Sequence, residues 1–214
     1  MIDALTDLLD ESRELGFLGP GPVIDHLRRA KAFAAAAPRT PARALDLGAG
    51  GGLPGLVLAA LVWPETRWCF LDGMVRRTSF LERAVRRLDL GDRVQVVTER
   101  AEETGRRPEH RGAYDLVVAR SFAAPGVAAE CAAPLLQVGG TLLVSEPPDT
   151  PMAARWPTAG VAGFGFGPAV AVEIADEVDE GDDEPTHFVR LLLESPVDDR
   201  YPRRVGIPAK RPLF

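Results

Sequence analysis

Cysteine and histidine are both scarce in this sequence. The two cysteines, Cys69 and Cys131, have apolar neighbours, which predicts buried free thiols without a disulfide or a metal. The three histidines lie in separate segments, at His26, His110 and His187, and are predicted to be packed or surface residues. This scarcity argues against a disulfide scaffold and a metalloenzyme, and it leaves no recognisable acid–base pair for catalysis.

Long hydrophobic runs and targeting signals are missing as well. The longest mostly apolar run, residues 53–63, is interrupted by Pro54 and Gly55, and a membrane-spanning helix needs about 20 residues. The first eleven residues carry acids where a signal or transit peptide carries bases. We therefore expect a cytoplasmic protein without a membrane segment.

Negative charge dominates the total but is concentrated in one segment. The net charge is −6, and residues 173–184 hold eight acids and no base, so the rest of the chain sums to +2. This acidic segment is predicted to be a solvated hairpin loop. Bases cluster at 28–31, 76–87 and 200–211, and arginine outnumbers lysine 23 to 2. Such clusters are typical of a phosphate-binding surface, or of ordinary solvated helix faces in an arginine-rich protein.

From residue 42 onward, short apolar runs alternate with helical patterns, which predicts a parallel sheet with helices on both faces. The predicted strands are 44–47, 67–71, 94–97, 114–118 and 141–144, with a terminal hairpin of 169–174 and 187–193. Predicted helices span 2–12 and 21–36 or begin near Pro54, Val75, Ala101 and Pro125. Gly91 is expected to cap the helix that begins at Val75. The tail, 201–214, is predicted to be either an ordered arm or a flexible one.

The most informative motif is LDLGAGGGLPG, residues 45–55. Asp46 stands at the carboxyl end of the first predicted strand, and the glycines, including Gly48 and Gly50, form a turn before a helix. Glycine permits backbone angles and a close ligand approach that a Cβ would block. The GxGxG spacing alone is weak evidence, because dinucleotide-binding proteins and many turns share it.

A second acid makes the glycine motif more specific. Asp72 ends the second predicted strand, where a carboxylate can accept both hydroxyls of a ribose. Asp46 suits the ammonium of S-adenosylmethionine, which has no pyrophosphate. The residues that follow the third strand, Arg100-Ala101-Glu102, are predicted to meet an adenine edge. The pattern favours S-adenosylmethionine, with a nicotinamide or flavin cofactor as the alternative.

Several segments together resemble the GidB-like family, bacterial methyltransferases that modify a guanine at N7 in small-subunit (16S) ribosomal RNA. DLGAGGGLPG is similar to the family's cofactor loop, FLDGMVRRTSFLER to its second strand and helix, VTERAEE to its adenine-side turn and VVARSFA to its fourth-strand motif. ELGFLGPGPVIDHL resembles its N-terminal segment, with His26 at the position of the family histidine. YPRRVGIPAKRPL resembles its basic, proline-rich terminus. The resemblance covers nearly the whole chain.

The resemblance implies an α/β, Rossmann-like methyltransferase fold: a mostly parallel seven-stranded sheet with helices on both faces and extra N-terminal helices. It implies one methyltransferase domain, 1–214, made of an N-terminal helical extension (1–40), a cofactor-binding core (41–147), a C-terminal hairpin region (148–200) and a basic tail (201–214). The cofactor is S-adenosylmethionine and the partner is ribosomal RNA or the small ribosomal subunit. We expect a monomer that needs neither a metal nor a membrane.

Matching positions imply that Gly48, Leu53, Ala101, Glu102 and Arg120 line the cofactor. Together with the residues argued from the pattern, the predicted cofactor-binding set is Asp46, Gly48, Gly50, Leu53, Asp72, Ala101, Glu102 and Arg120. Arg120 follows the fourth strand and is also the predicted catalytic residue. Guanine N7 has a lone pair and no proton, so methylation there needs positioning and no general base.

The sequence departs from the family at two places. After the fifth strand, Val144-Ser145-Glu146-Pro147-Pro148 replaces a leucine-lysine-glycine stretch, and Leu27-Arg28-Arg29-Ala30 replaces the polar residues that follow the family histidine. An acid near an RNA phosphate weakens binding. We therefore expect Glu146 to lower activity on naked RNA and Glu146→Lys to restore it, unless Glu146 hydrogen-bonds the guanine.

Three functions remain open at this point. The basic tail favours the RNA methyltransferase, because Arg203 and Arg204 are expected to dock beside the cofactor cleft and form a positive face with the arginines of the helix from Val75. The net charge and Glu146 favour a methyltransferase for a small molecule or another substrate. A cofactor-binding protein without transfer activity is the third possibility.

Overall fold

The apolar runs from residue 43 onward pair into one seven-stranded sheet in the computed structural model, which describes residues 1–148, 151–175 and 185–214. The strands are β1 (Arg43–Leu47), β2 (Arg67–Asp72), β3 (Val94–Thr98), β4 (Tyr114–Ala119), β5 (Leu136–Glu146), β6 (Val170–Ile174) and β7 (Thr186–Leu192). Their order is β3-β2-β1-β4-β5-β7-β6, and only β7 runs antiparallel to both of its neighbours. The chain reverses its direction of sheet growth between β1 and β4, which is where ligands bind in open α/β sheets.

Helices cover both faces of the sheet in the described ranges. They are α1 (Ile2–Glu14), α2 (Val23–Ala36), α3 (Gly55–Val57), α4 (Val75–Arg87), α5 (Ala101–Thr104), α6 (Pro125–Ala132), α7 (Met152–Arg155), α8 (Thr158–Ala162) and α9 (Ile207–Lys210), with a π-helical turn at Leu58–Val62 and a 3-10 turn at Ala133–Leu135. Within the described part of the chain, none of them is long and apolar enough to cross a membrane.

Alternation along the strands divides the core into two clusters. Side chains such as Ala44 and Leu143 pack with α1 to α4 on one face, while Leu45 and Leu142 pack with α5 and α6 on the other. Asp46 lies between Leu45 and Leu47 in β1, so its carboxylate points to the face that carries α1 to α4. The two cysteines are buried free thiols, as predicted.

Two local predictions are wrong. The helix α4 ends at Arg87, and the residue with left-handed backbone angles is Asp89, with φ 55°, so Gly91 is not its cap. The strand β5 begins at Leu136 and not at residue 141, because Leu136 already pairs with Tyr114 and the glycine pair 139–140 lies in an irregularity before regular pairing resumes at Thr141. The hairpin of β6 and β7 is confirmed, while residues 176–184 of the predicted acidic loop lie outside the described residues.

The tail is an ordered arm and docks on the α5–α6 face. Arg203 forms a two-oxygen ion pair with Glu130, a fully buried residue of α6, at 2.6 to 3.1 Å. The N–H of Gly206 donates to Glu102 at 2.9 Å, and the ring of Phe214 packs near Trp156 and Phe164. Buried ion pairing and aromatic packing therefore hold this segment in place.

Candidate active site

The glycine motif forms a loop at the carboxyl edge of β1. Gly48 and Gly50 have φ of 75° and 51°, a region that side chains with a Cβ rarely adopt. The backbone N–H groups of Gly48 and Ala49 both donate to the carbonyl of Leu71 at 2.9 Å, which ties the loop to the end of β2. A Cβ on Gly48 would lie 2.6 Å from the ring of Phe122, so the close approach also requires glycine.

Two buried acids hold the loop from beneath. Asp72 accepts the N–H of Gly50 at 3.0 Å through one oxygen and the N–H of Met74 at 2.9 Å through the other. Asp46 accepts the N–H of Gly55 at 2.8 Å. These bonds fix the backbone of the loop and of the following helix start. Oδ2 of Asp46 and Oδ1 of Asp72 each keep a second lone pair, whereas Oδ2 of Asp72 also lies 3.5 Å from Nη1 of Arg77.

Asp46 is an unusual acid because it is fully buried and only half satisfied. Its Oδ1 has no hydrogen-bond partner among the described residues. Burial raises the pKa of Asp46 to about 7, the nearby Asp72 adds to this, and the Gly55 N–H and Arg120 oppose it. An unpaired acceptor in this state would be stabilised by a cationic group, so Asp46 fits the ammonium of S-adenosylmethionine.

A cleft of about 180 Å³ lies above the loop. Four predicted cofactor-binding residues line it, namely Gly48, Gly50, Leu53 and Arg120. Its other walls include Arg77, Ser121 and a segment of the α1–α2 connection, Phe17-Leu18-Gly19, none of which the sequence assigned to the site. The segment LGFLG, with an aromatic residue between glycines and next to helices, is the signal that marks such a wall.

Arg120 follows β4 and reaches the cleft beside α2. Its Nη2 lies 3.2 Å from Nδ1 of His26, and Nε2 of that ring lies 3.2 Å from the carbonyl of Gly19. Burial lowers the pKa of His26, and Arg120 and Arg29 lower it further, so the ring is neutral and Nδ1 accepts from Arg120 when Nε2–H donates to Gly19. Nη1 of Arg120 is buried without a hydrogen-bond partner in the described part of the chain.

A second cavity of about 440 Å³ adjoins the cleft. Arg120 and Ser121 line both spaces, and Ser121 has a φ of 51°, which bends the chain between them. Glu146 lines the second cavity, next to the site as predicted. A base in this cavity would therefore lie beside a cofactor in the cleft.

The charge of Glu146 is not free to repel RNA. Its carboxylate accepts Nε–H of Arg155 at 2.7 Å and Nε1–H of Trp156 at 3.0 Å, and its side chain is 7% exposed. The expectation that Glu146 acts by repulsion is therefore corrected. Glu146→Lys would place a cation against Arg155 and leave Trp156 without an acceptor.

The other four predicted cofactor-binding residues do not line the cleft, namely Asp46, Asp72, Ala101 and Glu102. Asp46 and Asp72 are buried and reach the cleft only through the loop backbone that they hold. The carboxylate of Glu102 accepts the N–H of Gly206, so its side chain holds the tail. The turn that precedes α5 does reach the site, since the N–H of Glu99 donates to the carbonyl of Asp72 at 3.2 Å. Contact of Ala101 and Glu102 with an adenine edge stays a prediction.

Some of the arginines of the predicted joint positive face form ion pairs within the protein. In α4, Arg83 pairs with Glu11 and Arg87 pairs with Asp7, so these arginines hold α1 on one face of the sheet. The tail docks on the opposite face, where Arg203 forms an ion pair with Glu130. These three arginines are therefore engaged within the protein, and a positive face made of the other bases of the two segments stays a prediction.

Comparison with known proteins identifies the family of this chain. Residues 22–146 match the GidB family, described as rRNA small subunit methyltransferase G. The Ribosomal RNA small subunit methyltransferase G of Synechococcus sp. (strain WH7803) is 37% identical over 180 residues, which is 81% of this chain and 67% of that relative. The chain belongs to the GidB family. Its class as a methyltransferase of small-subunit rRNA, indicated by the sequence motifs, is confirmed.

Solved structures confirm the fold predicted for this GidB-family member. Cofactor-bound Rv0187 from MTB superposes with a TM-score of 0.63 at 21% identity, covering 90% of this chain and 91% of that one. An O-methyltransferase from Bacillus cereus in complex with SAH superposes with a TM-score of 0.60 at 15% identity over 90% and 91% of the two chains. Among the described residues, no group of three or more His, Cys, Asp or Glu side chains is placed to hold a metal.

Proposed function

We propose that the protein transfers a methyl group from S-adenosylmethionine to N7 of a guanine in small-subunit ribosomal RNA. The observation that carries this proposal is the contact of two spaces in a GidB-family chain: the glycine-loop cleft and the 440 Å³ cavity, which share Arg120 and Ser121. One space suits a methyl donor and the other a base.

Different residues of the site would bind different parts of the cofactor. The backbone at Gly48 and Gly50, with Leu53, provides the close surface. Oδ1 of Asp46, which is fully buried and has no hydrogen-bond partner among the described residues, is the proposed acceptor for the ammonium. Asp72 is the proposed acceptor for the ribose hydroxyls, with a lone pair left on Oδ1 and with Oδ2 shared with Arg77 at 3.5 Å. When bound, S-adenosylmethionine supplies an electrophilic methyl group on a sulfonium.

The chain contributes to the reaction by orientation. Enzymes that modify a base draw it out of the stack into a pocket, and the 440 Å³ cavity is the space for it. Guanine presents O6 and N7 as neighbouring acceptors. The unpartnered Nη1 of Arg120 would donate to O6, which leaves the N7 lone pair free and directed at the cleft. Correct orientation alone contributes several kcal/mol.

The partner and the location follow from the substrate. The ligand is small-subunit RNA, naked or assembled into the subunit, and we keep the cytoplasmic location and the monomeric state as part of this proposal. The net charge and Glu146 favour a small-molecule substrate, and the ion pair of Glu146 with Arg155 removes the second of these two arguments.

A transfer assay tests the proposal. The protein is incubated with methyl-labelled S-adenosylmethionine and with naked small-subunit RNA or assembled subunits that lack the modification, and the RNA is digested to nucleosides. We expect the label in 7-methylguanosine, and Arg120→Ala should lower the rate about tenfold or more, since one hydrogen bond from a charged group is lost. Arg67→Ala, at the exposed start of β2 and the edge of the sheet opposite the cleft, is the matched control. Label in another nucleoside, or none with either RNA, refutes the proposal.

A further inference from the structure

Three arginines surround the cavity that adjoins the cofactor cleft. Arg29 enters from α2, Arg120 from the end of β4 and Arg155 from the end of α7. Among the described residues that line the cavity, Glu146 is the single acid. The lining therefore carries a net positive charge, which none of the roles assigned so far uses beyond Arg120.

Glu146 holds Arg155 in one orientation. The carboxylate contacts the guanidinium through Nε, at 2.7 Å, and its other oxygen is occupied by Trp156. In the described part of the chain, neither Nη group of Arg155 has a hydrogen-bond partner, and the side chain is 38% exposed. The two terminal nitrogens are therefore free to bind a ligand while the stem is fixed by the buried acid.

Arg29 is also uncommitted. It is exposed and forms no hydrogen bond or ion pair with the residues that the structure describes, yet it lies close enough to influence His26 and Arg120 electrostatically. Arg29 and Glu146 both line this one cavity. Arg155 itself lies beyond residues 22–146, the part that matches the family.

We propose that Arg29 and Arg155 form a phosphate-binding site at this cavity, for the backbone phosphate of the nucleotide whose base enters it, with Glu146 as the positioning residue for Arg155. The choice of an RNA phosphate as the ligand rests on the proposed function, because that function makes RNA the substrate. A guanidinium with free terminal nitrogens matches the oxygens of a phosphate, and phosphate contacts fix the register of a nucleic acid on a protein. The base then enters beside Arg120 with its phosphate held outside.

The direct test is the salt dependence of RNA binding. A short single-stranded RNA with one guanine is titrated into the protein in the presence of S-adenosylhomocysteine, over a series of salt concentrations. Log affinity falls as log salt rises, and for single strands each lost phosphate contact makes this negative slope shallower by about 0.7. We expect Arg29→Ala and Arg155→Ala each to make the slope shallower by about this amount and to weaken binding about tenfold. Arg67→Ala, at the exposed start of β2 and the edge of the sheet opposite the cleft, should change neither quantity.

The positioning role of Glu146 needs its own variants. Glu146→Gln keeps the acceptor for Trp156 but loses the charge that holds Arg155, so its RNA affinity should fall partway towards that of Arg155→Ala. The double variant Glu146→Gln with Arg155→Ala avoids an unpaired buried acid, and it should match Arg155→Ala in salt slope if the effect is loss of a phosphate contact.

Two outcomes separate this inference from the proposed function. If the arginine variants keep the wild-type slope and affinity while 7-methylguanosine is still formed, the phosphate site is refuted and the function stands. If the slopes fall as expected but no guanine is methylated, the phosphate site stands and the proposed reaction fails. Affinity for S-adenosylhomocysteine should be equal in all the variants, which shows that they are folded.

Discussion

Nη2 of Arg120 lies 3.2 Å from Nδ1 of His26, and this contact joins the end of β4 to α2. The imidazole is held in turn by the carbonyl of Gly19, in the segment that walls the cofactor cleft. The N-terminal helices thus position the predicted catalytic arginine in addition to packing on the sheet. A neutral His26 is required, because a protonated ring has no lone pair to offer to Arg120.

Replacement of His26 should therefore affect turnover. We expect His26→Ala to lower kcat about tenfold, because Arg120 loses its acceptor and the orientation that it provides. His26→Asn keeps an oxygen near the position of Nδ1 and should recover part of the loss. Steady-state kinetics with saturating RNA measures both variants. Equal kcat values for His26→Ala and the wild type would show that Arg120 needs no support from α2.

Cofactor binding should depend on pH through Asp46. Its pKa is raised to about 7 by burial, so the carboxyl is ionised above that pH and neutral below it. The ionised form attracts an ammonium, so affinity for S-adenosylhomocysteine should fall about tenfold for each pH unit below about 7. Burial lowers the pKa of His26 below its ordinary value, which keeps that ring neutral near pH 7.

Calorimetry from about pH 8 to about pH 6 makes this measurement. The matched variant Asp46→Asn preserves the shape and cannot titrate, so its affinity should be weaker at high pH and nearly constant across the range. A wild-type affinity without pH dependence would contradict the pairing of Asp46 with the ammonium.

Asp72 should matter both for the loop and for the cofactor. Asp72→Ala removes the acceptor of the Gly50 and Met74 N–H groups and the proposed acceptor of the ribose, and charge-assisted hydrogen bonds contribute about 1.5–3 kcal/mol each. Affinity for S-adenosylhomocysteine should fall at least tenfold by calorimetry, with Asp92→Ala, an exposed acid before β3, as the control. Unchanged binding would remove Asp72 from the ribose site.

Arg203 should act on stability and leave the RNA contact to other residues. Its partner Glu130 is fully buried, and removal of one partner from a buried ion pair costs about 3–5 kcal/mol. The free energy of unfolding, measured with urea, should fall by about this amount for Arg203→Ala. Arg204→Ala, which removes an exposed neighbour, should stay within about 0.5 kcal/mol of the wild type. Equal stability of both variants would mean that the tail is not anchored through Glu130.

The features that the sequence predicted well are those that depend on residues close together in the chain. The strand that ends at Asp72 and the glycine turn after β1 follow from local alternation and from glycine spacing, and the structure has them within a residue or two. Strand β5 was predicted too short because Gly139, with φ 84°, continues a strand that glycine usually ends. The glycines lie in an irregularity of the β4–β5 pairing, and the N–H of Gly139 donates to the carbonyl of Leu193, a long-range contact that local propensity does not reveal.

The features that the sequence missed depend on distant partners. Glu102 was predicted to meet the cofactor, yet its carboxylate bonds a residue 104 positions away. Arg203 is expected from the sequence to contact RNA, but it forms an ion pair with Glu130, a buried acid in α6. Charge patterns in a sequence indicate that a base is present but not which acid it meets, so Arg155 beside Glu146 could be found only in three dimensions.

The most direct measurement is nucleoside mass spectrometry of small-subunit ribosomal RNA from the source cells with and without this gene. We predict that 7-methylguanosine at one position is lost when the gene is deleted, returns with the wild-type gene and does not return with Arg120→Ala. An unchanged level of 7-methylguanosine in the deletion strain would contradict methylation of guanine N7 by this protein.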